Sequence, residues 1–407
     1  MHPELIKKIL EENAYIRTGA SPEELNCANY LMEKCVELGA ENVHLEPFPM
    51  QMAKMKKAAL YADGKEVPCK GYFNSGSGDW EAPLYYLANQ DDWSLAQCRG
   101  KIVLSDLGLG YWTFRDLVAN GALGYITYDG NSNYTDWDID QKELRAHVAC
   151  GDKLPGVNIN VKTARQLLMD GVKKVRMVLE QEEYTGESRN VVAELPGQVD
   201  EWILLSAHYD STPLSQGVYD NMSGCVGLLA LMERFAKEEH RYGLRFLFCG
   251  SEERGLYGSK AYVKAHEAEL NKIVLNVNLD MIGTAMGKFI ACCSTEEKLV
   301  HYIEYLAMEA GFGMAARQDV YSSDSTPFAD AGVPALSFAR LDRNATIHNR
   351  YDTMAVMKPE QLALDADFIG LFVSRMANAA HCPVKREIPE PVKEKLDEYM
   401  NRKRKKN

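Results

Sequence analysis

From about residue 186 onward, short apolar runs alternate with amphipathic stretches, and this alternation restricts the fold more than any other feature of the sequence. Residues 202–207, 244–249, 273–279 and 333–338 read as strands, and residues 222–237, 259–270 and 296–310 as helices. Strands this continuously apolar must be covered on both faces, and strand–helix–strand repeats run right-handed over a sheet. The expected class is α/β: a mixed, largely parallel sheet flanked by helices.

Two amphipathic helices are expected ahead of this region, over residues 3–17 and 22–38. In the second, Ser21 precedes Glu24 at capping-box spacing, and Gly39 stops the helix. The texture differs between 52 and 185. There, β-like runs at 101–104, 124–128 and 157–159 are separated by Gly-, Asn- and Asp-rich turns, with one helical stretch at 113–120. The expected organisation is therefore one α/β domain from residues 1–51 and 186–382, a β-rich insertion at 52–185 and a charged C-terminal tail at 383–407.

Composition excludes several function classes. The 58 acidic residues outnumber the 46 basic ones, giving a net charge of −12, which argues against a nucleic-acid partner. The basic run from Arg402 to Lys406 reads as a solvated helix end. No apolar run reaches the roughly 18 residues that a membrane span requires, so no membrane role is expected. The ten cysteines are scattered without a CxxC, as reduced, mostly buried thiols would be. The opening residues lack the apolar core of a secretory signal, so a cytoplasmic location is the expectation. No GxSxG elbow follows a strand, and 283–289 has the wrong spacing for a phosphate-binding loop.

Open parallel sheets bind ligands at the carboxyl ends of their strands, so the residues following each strand matter most. His208, Tyr209 and Asp210 follow the first strand, and Asp220 lies just ahead of the next helix. Glu252 and Glu253 follow the second strand, Asp280 follows the third, and His348 comes after the fourth. Singly, each has an ordinary reading: Asp220 as a helix cap, the glutamate pair as a solvated turn, His348 as a loop residue. Their convergence on one sheet edge is what carries weight. Two His with three or four carboxylates suit zinc, with cobalt or manganese as other options. A carboxylate can bridge two ions about 3.5–4 Å apart. Of two adjacent glutamates, one can bind metal while the other acts as a base.

These segments resemble the M28 family of co-catalytic zinc aminopeptidases. The matching stretches are Ser206-Ala207-His208-Tyr209-Asp210-Ser211, Asp220-Asn221-Met222-Ser223-Gly224, Gly250-Ser251-Glu252-Glu253-Arg254-Gly255-Leu256-Tyr257-Gly258-Ser259, Asn278-Leu279-Asp280-Met281-Ile282-Gly283 and Ile347-His348. The resemblance covers about 1–50 and 186–382 and implies a zinc exopeptidase-like fold. The stretches at 98–104, 119–125 and 155–159 make the insertion similar to a protease-associated (PA) domain.

The resemblance implies two Zn2+ per chain. His208 and Asp280 would hold one ion, Glu253 and His348 the other, and Asp220 would bridge them. Glu252 would be the general base, and Asp210 would orient His208. The implied partners are peptide substrates with a free N-terminus. Where the family often has Ser-Asp-His, this chain reads Ser323-Asp324-Ser325, so the pocket for the substrate side chain is expected to differ. Other exopeptidases, a glutaminyl cyclase on the same fold and a catalytically inactive binding relative are the alternatives.

Overall fold

The computed structural model describes residues 1–133 and 136–404. They form two compact units: Met1–Pro49 with Glu187–Asn407, and Met50–Gly186. Two long strands, Glu41–Ala62 and Lys174–Leu195, carry the chain from one unit to the other.

The first unit is built on a mixed, largely parallel sheet. Its strands run in the order Ala315–Gln318, Lys288–Ser294, Ala335–Leu341, Ile273–Leu279, Val199–His208, Tyr242–Cys249, and then the end of Lys174–Leu195. The four from Ala335–Leu341 to Tyr242–Cys249 are mutually parallel, so their carboxyl ends share one edge. Lys288–Ser294 and residues 191–195 flank them antiparallel.

Alternation along each strand sends neighbouring side chains to opposite faces. Ile203, Leu205 and Ala207 join one apolar cluster, with Ile6, Leu31, Leu228 and Phe372; Leu204 and Leu247 join another, with Tyr262, Phe328 and Leu396. Helices thus cover both faces: Pro3–Glu12, Pro22–Glu37, Ser223–Phe235, Glu297–Glu309 and Pro359–Ala377 on one, Tyr257–Ala265, Ser325–Asp330 and Glu390–Tyr399 on the other. Phe372 is fully buried, with its ring 5.6 Å from that of Phe338. Phe372→Ala is expected to cost about 3–5 kcal/mol through lost burial and a residual cavity. The drop should be read as a lower urea midpoint.

Several helix limits depart from the sequence expectation. The first helix ends at Glu12 rather than near 17. The Asn13 side chain bonds back to Ile9 O, and the Arg17 guanidinium takes up the carbonyls of Asn13 and Tyr15, which a continuing helix would have used itself. The helix expected at 259–270 divides into Tyr257–Ala265 and a 3-10 turn, Glu267–Lys272. The helix Pro359–Ala377 and the strands Lys288–Ser294 and Ala315–Gln318 were not expected.

Past residue 382, the described residues run to 404 and include a packed helix. Helix Glu390–Tyr399 buries Val392 and Leu396 against Phe328 and Ala329. Just past the end of this helix, Arg402 is exposed and pairs with Asp330 and, at 2.7 Å, with Asp397. Lys405 and Lys406, the end of the basic run, lie outside the described residues. All ten cysteines are free. Among the described residues, no helix is long and apolar enough to cross a membrane.

The second unit has its own sheet. Gly78–Leu87, Ile102–Ser105, Gly124–Asp129 and Gly156–Asn160 run parallel in that order, with Lys70–Gly71 antiparallel at the end. The metal-ligand groupings described below contain no residue of this unit.

Candidate metal centre

Three of the parallel strands deliver their following residues side by side. Val199–His208 lies between Tyr242–Cys249 and Ile273–Leu279, with His208 in register with Cys249. Asp280 follows Leu279 directly, and its N–H donates to Phe338 O at 3.0 Å on the next strand. Glu252 and Glu253 lie just past Cys249 in a turn whose N–H groups point back to Asp210: Glu252 N–H to Oδ1 at 2.9 Å and Glu253 N–H to Oδ2 at 3.2 Å.

Asp220 comes from the loop ahead of helix Ser223–Phe235, and Asn221 fixes that loop to the sheet. The Asn221 Nδ2 donates to Leu279 O, and its Oδ1 accepts from Gly224 N–H and Met281 N–H. The loop carrying His348 is tied to the same place by Asp352, which accepts from Tyr219 N–H at 2.8 Å and Asp220 N–H at 3.1 Å.

All seven site residues expected from sequence come together. His208 Nε2 lies 3.2 Å from Asp220 Oδ1 and 3.7 Å from Asp280 Oδ1. His348 Nε2 lies 3.0 Å from Asp220 Oδ2 and 3.1 Å from Glu253 Oε2. The two oxygens of Asp220 therefore face different imidazoles. The donor atoms form two groups sharing Asp220, His208–Asp220–Asp280 and Asp220–Glu253–His348, each with its atoms within 4.8 Å of one another. Glu252 Oε2 stands 4.0 Å from His208 Nε2 and belongs to neither group. Asp210 Oδ1 is 3.3 Å from the other ring nitrogen of His208.

The electrostatics call for cations. Burial pushes the Glu252 carboxyl well above its usual range; Glu253, Asp324 and Asp280 add to this, against the pull of His208. Burial and then Asp220 push Glu253 up to about 7. Burial also opposes ionisation of Asp220, but its bonds with His208 and His348 hold it below the ordinary value. Burial disfavours protonation of His348, yet Glu253 and Asp220 raise it to about 11. Six carboxylates (Asp210, Asp220, Glu252, Glu253, Asp280 and Asp324) surround two imidazoles. Asp280 Oδ1 is buried with no hydrogen-bond partner. So many carboxylates are costly to bury together unless cations neutralise them. Two divalent ions fit this set, and its nitrogen and oxygen donors suit zinc.

Residues 190–372 match the family model of peptidase family M28. That segment is similar to peptidase family M28. Among curated relatives, Aminopeptidase YwaD of Bacillus subtilis is 28% identical over 274 residues, covering 63% of this chain and 57% of that protein. Leucine aminopeptidase 2 of Trichophyton rubrum is 30% identical over 240 residues, covering 56% of this chain and 47% of that protein. The chain thus spans about half the length of these curated relatives. An aminopeptidase from Aneurinibacillus sp. strain AM-1 superposes with a TM-score of 0.78 at 23% identity, over 94% of this chain and 96% of that one. A zinc aminopeptidase from Bacillus subtilis gives 0.77 at 22% identity, over 95% and 96%. These structures share their fold with this chain.

Sequence reasoning missed three residues around the site. Asp352 follows His348 by four positions, and that spacing was the available signal. Arg17 is fully buried and gives hydrogen bonds to Tyr209 O, Gln216 O and Gly217 O, bracing the stretch between His208 and Asp220. Asp324 is fully buried beside the carboxylates, where burial raises it to about 6 against the pull of His208. In the sequence, its neighbour Ser325 is the departure from the family's Ser-Asp-His pattern. Ser325 is buried and shares a 2.7 Å hydrogen bond with Ser337.

Proposed function

We propose that this chain is a two-metal aminopeptidase that removes N-terminal residues from peptides. The observation that carries the reading is Asp220 presenting one oxygen to each imidazole beside an unshared glutamate. His208, Asp220 and Asp280 would hold one ion, and Asp220, Glu253 and His348 the other. Zinc is the ion the donor set supports, as in the Bacillus subtilis zinc aminopeptidase of the same fold. When bound, the ions polarise the scissile carbonyl and make water acidic enough to attack it.

The chain's own groups do the rest. Asp210 holds the His208 ring and, through its bonds to two successive N–H groups, the turn that presents Glu252. Glu252 takes a proton from the attacking water and passes it to the leaving amine. Glu252, which no ion would neutralise, attracts the substrate's ammonium group, an attraction strengthened by partial removal from water.

Acetylating the substrate amine removes this recognition. Mass spectrometry should find an unblocked pentapeptide losing its first residue while the N-acetylated form stays intact. Equal cleavage of the two would overturn the aminopeptidase reading and favour a carboxypeptidase. Conversion of N-terminal Gln without release of an amino acid would mark a cyclase, and action on dipeptides alone would mark a dipeptidase.

A further inference from the structure

The turn bearing the two glutamates hangs from buried carboxylates by three consecutive N–H groups. Two go to Asp210; the first, Ser251 N–H, goes to Glu24 Oε1 at 2.9 Å. Glu24 lies on the N-terminal helix Pro22–Glu37 and is fully buried. Its N–H uses the Ser21 hydroxyl as a cap at 3.0 Å, but its carboxylate does not close the reciprocal bond of a capping box. Instead Oε2 accepts from Ala20 N–H at 2.8 Å. Oε1 accepts from the Ser188 hydroxyl at 2.8 Å and from both the N–H and the hydroxyl of Ser251.

Ser251 needs this support. Its φ of 53° is in the left-handed region, which a non-glycine residue occupies only when its surroundings enforce it. The neighbouring glycines are as tightly placed. A Cβ on Gly250 would lie 2.3 Å from Arg189 O and 2.6 Å from Ser188 Oγ, and one on Gly19 would lie 2.3 Å from Ser251 Oγ. With no spare room, the turn takes its conformation from Glu24 on one side and Asp210 on the other.

We infer that Glu24 is a positioning residue for the reaction: it holds Ser251 in its left-handed conformation and thereby aims Glu252 at the substrate. The inference rests on reading Glu252 as the base. All four partners of Glu24 can donate, so a carboxylate serves each of them. An amide of the same shape has one accepting oxygen and must set its NH2 against an N–H. Burial and the nearby Asp210 raise the Glu24 carboxyl to about 7, which fits its place in the same acidic interior.

The test is Glu24→Gln in the full chain loaded with zinc. Weakening charge-assisted hydrogen bonds should lower kcat about tenfold. KM should stay within about threefold, and zinc content should be that of the unaltered protein. Amide hydrogen exchange read by mass spectrometry should quicken over residues 250–254 and not over strand Ile273–Leu279. Unchanged exchange at 250–254 together with unchanged kcat would overturn the inference. So would faster exchange throughout with zinc lost in proportion to activity, since that describes a general fold contact. If Glu24→Gln does not fold, Ser251→Ala removes only the hydroxyl bond and should give a smaller fall in kcat with the same local exchange pattern; no change in either would be equally fatal. Failure of the underlying reading looks different: Glu252→Gln would remain active while Glu24→Gln still loosened 250–254.

Discussion

Glu252→Gln is expected to keep both proposed metal ions and to lose about two to four orders of magnitude in turnover, the range for removing a general base. The substitution preserves shape and removes only the ability to take a proton. Glu252 belongs to neither group of candidate metal ligands, and its N–H is held by Asp210, a contact that the side-chain change leaves in place. KM should therefore move little while kcat collapses. Elemental analysis beside steady-state kinetics makes the comparison, and near-normal turnover would rule Glu252 out as the base. The adjacent Glu253→Gln should behave differently. Its Oε2 lies 3.1 Å from His348 Nε2 in the second ligand group, so the expected loss is affinity for one ion.

With two ions per chain as proposed, Asp220→Asn should reduce bound metal to fewer than one, with activity falling in step. Each Asp220 oxygen faces one imidazole, and an amide offers one oxygen where a carboxylate offers two. Losing a partner outside the ligand set commonly costs about 10–100-fold in metal affinity; a shared ligand should cost more, and at both sites. Asp280→Asn gives the contrast, because Asp280 belongs to one group only. Metal titration of the two variants decides the matter. An Asp220→Asn protein that retained one full-affinity ion and full activity would remove the case for a shared site.

The site was legible in the sequence because its parts sit at strand ends. Once 202–207, 244–249 and 273–279 read as parallel strands, the residues just past them had to meet at one edge, whatever the details of the helices. The supporting residues were hidden because their partners are remote in the chain. Glu24 and Ser251 are 227 positions apart, and Asp352 and Asp220 are 132 apart. In sequence, Glu24 is simply the third residue of a helix, where a glutamate needs no further explanation. Arg17 extended a helical pattern on paper, whereas its guanidinium ends the helix by competing for the carbonyls. The strand Lys288–Ser294 escaped notice because it runs antiparallel to Ala335–Leu341, outside the strand–helix rhythm that revealed the others.

Helix Glu390–Tyr399 has a consequence for how the chain is made. Val192, Leu204, Leu247 and Phe328 form one apolar face, and its cover, Ile388, Val392 and Leu396, lies some sixty positions or more beyond them in the sequence. Lys395 and Tyr399 from that cover also hold the segment leading to Asp324, through Asp319 at 2.9 Å and the Ser322 hydroxyl at 2.8 Å. A ribosome completes the sheet well before it supplies this helix. Until residues 388–396 have emerged, the nascent protein carries an uncovered oily face of the kind that recruits chaperones or sticks to its neighbours.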